Sequence, residues 1–131
     1  MPPAERGREA AELFNKIAVD APTRADAEAA HWYAVDCAYR AALATAGTQG
    51  SARTVASAEA AARGAALDDL VAASGLWRDP VSFSDLVNGL FRDALRERDW
   101  RIVEAMAGRL APKLAADTAA RIAYVAARAY E

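Results

Sequence analysis

Apolar residues recur along this chain every three to four positions, in blocks separated by short polar or Pro/Gly breaks. That spacing is the signature of amphipathic helices. Ala10, Leu13, Phe14 and Ile17 follow the i, i+3, i+4, i+7 pattern and predict a first helix over residues 4–19. Pro22 ends it, because proline disfavours helical geometry at the residue before it. Glu5, Glu9 and Glu12 form an acidic row, with Glu12 and Lys16 spaced for an ion pair. Thr23, followed three residues on by Asp26, predicts the cap of a second helix that runs to Ala46. GTQGS (47–51) reads as a helix–helix connection. A third helix over 52–74 is built of small residues until Leu67, Leu70 and Val71, and Gly75 closes it.

The strongest internal break is LWRDPVSFSD (76–85). Ser82 as N-cap, Asp85 at N3 and Val81 against Leu86 as a hydrophobic staple predict the start of a fourth helix. That helix presents Phe83, Leu86, Val87, Leu90, Phe91 and Leu95. Asp99 predicts the cap of a fifth, with Trp100, Val103, Ala107 and Leu110 in a stripe. Pro112 breaks it, and a last helix after Pro112 or Asp117 carries Ile122, Val125 and Ala129 on one face. The expectation is an all-α protein of about six helices in a compact bundle. It is read as a single domain over 1–131, divisible into sub-units 4–75 and 81–131.

Within the last third, RERDW (96–100), LAP (110–112) and AARIAYVAARAY (119–130) together resemble a tetratricopeptide-type helix pair. Phe91 departs from that pattern, standing where a small residue is expected, and the region after Pro112 fits it poorly. The resemblance implies helical hairpins and a groove that takes peptide or protein.

Composition changes this picture in one respect. Of the 131 residues 54% are hydrophobic, but 37 of these are Ala and only 34 are larger. Short side chains require helices to approach closely before dispersion contacts form. Burial per residue is then modest, so assembly with a partner would add stability. The net charge of −2 comes from 16 basic and 18 acidic residues, balanced within each half of the chain. A general polyanion binder shows a basic excess or stripe, so the balance argues against nucleic acid as the main partner. No apolar run approaches the length of a membrane span, and the N-terminal residues show no apolar signal region. One cysteine makes no intrachain disulfide, so a cytoplasmic location is expected.

Candidate chemistry concentrates in AEAAHWYAVDCAYR (27–40), which holds the only His and the only Cys. A helical wheel spreads these residues around the helix and leaves Asp36 and Arg40 as the polar strip. The stretch is therefore expected to be a central packing helix. Glu28 and His31 form an E-x-x-H pair, a spacing used in di-iron bundles, for which Asp68 or Asp69 are conceivable further ligands. One such pair is a weak signal, and no cofactor is expected. Cys37 lies too far from His31 for a nucleophile–base pair, and no phosphate loop or G-x-S-x-G elbow occurs. FRDALRERDWR (91–101) sets Arg92, Arg96, Arg98 and Arg101 beside Trp100, but Asp93, Glu97 and Asp99 interleave with them.

The leading expectation is a non-catalytic helical module for protein–protein interaction or assembly, binding a protein partner or its own copy. Trp32, Tyr39, Trp77 and Trp100 are its candidate anchors. Two alternatives stand beside it. One is a nucleic-acid-associated accessory subunit using Arg92, Arg96, Arg98 and Arg101. The other is a metal-dependent bundle enzyme centred on Glu28 and His31.

Overall fold

The computed structural model describes residues 2–75 and 80–129, and within them the chain is all-helical. Helix α1 spans Pro3–Asp20, α2 Arg24–Ala46 and α3 Ala52–Ala73. Helix α4 spans Pro80–Arg96, α5 Trp100–Arg109 and α6 Ala116–Arg128, with a short 3-10 turn at Ala111–Lys113 between the last two. None of these helices is long and apolar enough to cross a membrane.

Three helix starts follow from local chemistry. The Thr23 hydroxyl accepts from the Asp26 amide at 3.1 Å, Ser51 accepts from Thr54 at 3.2 Å, and Asp99 accepts from Ile102 at 3.4 Å. Each satisfies an amide that the first helical turn leaves without a backbone acceptor. Helix α4 departs from expectation. It begins at Pro80, so Ser82 lies inside the first turn and is not its cap. Proline is preorganised for that first position. Val81, 67% exposed, likewise lies inside the first turn and not ahead of the helix, where a staple residue would stand.

Helix α2 lies among α1, α3 and α4, as a helix apolar nearly all round must. Helix α1 packs chiefly on α2, through its small residues. At Gly7 an added Cβ would stand 2.7 Å from the Cβ of Ala41 and 3.1 Å from the Cys37 carbonyl oxygen. Only a glycine allows that approach. Ala11 is the one fully buried residue of α1, while Leu13 and Ile17 are exposed. Of the expected face, Phe14 packs on Tyr33 of α2 with ring centroids 5.3 Å apart, while Leu13 and Ile17 are turned to solvent. Close contact between small residues prevails over burial of the larger ones, because α2 offers mostly alanine on that side.

One continuous apolar cluster joins the two halves of the chain. It includes Trp32 and Val35 of α2, Leu67 and Leu70 of α3, and Val87, Leu90 and Phe91 of α4. Ile102, Val103, Met106 and Leu110 close it from α5 and its C-cap, and Ile122 and Ala126 from α6. The stripe expected on α5 holds at Val103 and Leu110, both 0% exposed, and Ile102 and Met106 are buried beside them, while Trp100 is 39% exposed. Helices α4 and α5 form a hairpin through the turn at Glu97–Asp99, where Arg98 adopts a left-handed φ of 53°.

Candidate functional site

A cleft of about 400 Å³ lies between α2 and α4. That volume is within the range of small binding pockets. Trp32, Leu43, Leu86 and Leu90 supply its apolar lining, and Gly89 sits among them without a side chain. A Cβ at Gly89 would meet only the Arg92 guanidinium, at 3.9 Å, so the space above it is open. The polar lining is Tyr33, Asp36, Tyr39, Arg40, Ser82, Asp85, Arg92 and Asp93.

Much of that polar lining is preorganised. Arg40 pairs with Asp36 at 2.9 Å along α2, the i, i+4 pairing expected from the wheel. The Tyr39 hydroxyl donates to Asp93 Oδ2 at 2.8 Å and ties α2 to α4. The other oxygen of Asp93 receives Arg96 at 3.3 Å. Burial pushes the Tyr39 phenol well above its ordinary range, and its bond to the Asp93 carboxylate adds to the rise. The phenol therefore remains a donor at any physiological pH.

The four aromatic candidates separate. Trp32 is 1% exposed, and its ring packs 5.2 Å from that of Phe83. It is a core residue, so the expectation of a surface anchor does not carry over to it; it underlies the cleft instead. Its indole N–H is buried without a hydrogen-bond partner. Tyr39 lines the cleft half-buried, and Trp100 lies apart from it at the start of α5. Trp77 lies outside the described residues.

Arg92 lines the cleft, and Arg98 and Arg101 are exposed near the α4–α5 turn. Arg96 instead pairs with Asp93 and, at 3.5 Å, with Glu97. The interleaved acids thus take up part of the segment's positive charge.

Glu28 and His31 do not converge. Glu28 pairs with Arg24 at 3.3 Å. His31 lies in a separate hollow with Asn15, Val35, Asp69 and Ala73, among α1, α2 and α3. Burial lowers its imidazole below the ordinary value, and Asp69 partly reverses this. Asp69 does come near His31, but among the described residues no group of three or more His, Cys, Asp or Glu is placed to hold a metal ion. Cys37 is half-buried; burial, then Asp36, raises its thiol, and Arg40 opposes them.

Asp93, Gly89 and Arg63 escaped the reading of the sequence. Asp93 looked like one of several interleaved acids, and nothing local marks it as the acceptor for Tyr39. Gly89 gave a signal, as an isolated glycine inside a strong helical pattern. Arg63, which pairs with Asp99 at 2.8 Å, gave one too, as a charge set among small residues on α3.

No family model, curated protein or solved structure matches this chain significantly.

Proposed function

We propose that the protein is a non-catalytic interaction module and that the α2–α4 cleft receives an amphipathic helix of a protein partner. One observation carries the reading: the cleft combines an apolar lining with a polar rim already held in place by Asp36–Arg40 and Tyr39–Asp93. Helix-in-groove recognition needs an apolar channel between packed helices, with flanking charges to set orientation. Gly89 lets a visiting side chain approach the α4 backbone. Prior ordering of the rim lowers the entropy lost on binding.

The competing readings draw on less. A nucleic-acid role rests on Arg92, Arg98 and Arg101, since Arg96 is engaged by acids. A metal-dependent reaction at Glu28 and His31 would need ligands from elsewhere. With one cysteine, the module suits a reducing compartment such as the cytoplasm. Co-purification of the intact protein, with each captured protein re-tested against a cleft-filling Gly89→Leu variant, tests the proposal. Partners that bind both forms equally would count against it.

A further inference from the structure

Helix α1 carries a second surface, distinct from the cleft. Its contact side is marked by Gly7 and Ala11. At about 100° per residue, Leu13 lies roughly opposite Ala11 on the helix. Leu13 is 58% and Ile17 44% exposed. Around them on the same outward arc stand Arg6, Glu9, Lys16 and Asp20, all exposed. No ion pair within the described residues involves any of these four. The expected Glu12–Lys16 pair is also absent, which leaves Lys16 available.

The order of charges is specific. Reading from the N-terminal end, the outward arc runs basic Arg6, acidic Glu9, apolar Leu13, basic Lys16, acidic Asp20. Reversing this series about Leu13 exchanges every sign. An antiparallel second copy would therefore set Arg6 opposite the other copy's Asp20 and Glu9 beside the other copy's Lys16. Two-fold symmetry repeats both contacts, giving four ion pairs around a Leu13–Leu13 centre. A parallel pair would instead stack Arg6 on Arg6 and Asp20 on Asp20, which like-charge repulsion opposes. Ala10 and Ile17 lie on one side of Leu13, where Phe14 and Tyr33 stack 5.3 Å apart and extend the apolar strip.

We infer that α1 is a self-association surface, and that the protein pairs with a second copy of itself through antiparallel α1 helices. The surface is separate from the α2–α4 cleft, so this inference does not depend on what the cleft binds.

Sedimentation equilibrium of the full chain at low and high salt tests it, using charge reversals at exposed positions. The wild type is expected to show a concentration-dependent dimer that weakens with salt. The double variant Arg6→Glu/Glu9→Lys turns all four pairs into like-charge contacts and should weaken the dimer at least about tenfold. The quadruple variant Arg6→Glu/Glu9→Lys/Lys16→Glu/Asp20→Lys reverses every sign, so complementarity and the dimer should return. Far-ultraviolet circular dichroism checks that each variant keeps its helices. A wild type that stays monomeric throughout, or a dimer indifferent to the double variant, overturns the inference. So does a quadruple variant, folded by that check, that fails to recover the dimer.

Discussion

Arg63 of α3 and Asp99 at the start of α5 meet 2.8 Å apart, with side chains only 6% and 10% exposed. Asp99 also caps α5, since its other oxygen accepts from the Ile102 amide. One carboxylate thus fixes a helix start and pins the α4–α5 turn to α3. Removing the guanidinium would leave that carboxylate buried and unpaired. Arg63→Met is expected to cost about 3–5 kcal/mol of stability in urea unfolding. Arg63→Met with Asp99→Ser should recover most of the loss, because Ser keeps the cap and removes the buried charge.

Three glycines predict opposite outcomes for the same substitution. Gly64 and Gly89 have room for a methyl group, with nothing nearer than 3.9 Å. Gly→Ala at either should stabilise by about 0.5–1 kcal/mol, the usual gain inside a helix. Gly7→Ala meets Ala41 at 2.7 Å. Overpacking there costs about 1–3 kcal/mol and outweighs the propensity gain. Thermal melts rank the three, and amide exchange should report loosening confined mainly to α1 after Gly7→Ala.

The His31 hollow predicts a pH dependence. Burial lowers the folded-state pKa of His31, so the unfolded chain takes up a proton first as pH falls. Its contribution is complete above the ordinary value of about 6.5 and is lost as pH falls through the folded value. Asp69 acts in the other sense: burial, then Asp68, raises it, so its protonation favours the folded state at lower pH. Urea midpoints should therefore drop as pH falls below about 6.5, and level off once His31 is protonated in the folded state as well. His31→Gln should flatten the first part. An unchanged slope in that variant would place the titrating group elsewhere.

Class and element order were legible because helical periodicity and capping residues are local signals. Thr23 and Asp99 act as caps where expected, and Asp36 and Arg40 pair on the expected strip. Helix facing was less legible. On α1 the glycine that permits close approach to α2 turned Leu13 and Ile17 to solvent, although Phe14 of the expected face still packs on Tyr33. The cleft was legible only in pieces. Tyr39 stood out as an aromatic, but its acceptor Asp93 lies 54 residues on. Only tertiary packing brings them together.

The central claim is that the α2–α4 cleft binds a partner helix, and one titration tests it most directly. A protein recovered with the intact chain is purified and titrated against the wild type, Gly89→Leu and Gly64→Ala. Gly89→Leu fills the cleft from α4, where an added Cβ has space, while Gly64 lies outside the cleft lining. The account predicts that Gly64→Ala binds like the wild type and that Gly89→Leu, still folded, binds at least about tenfold more weakly. Equal affinity for all three would contradict it.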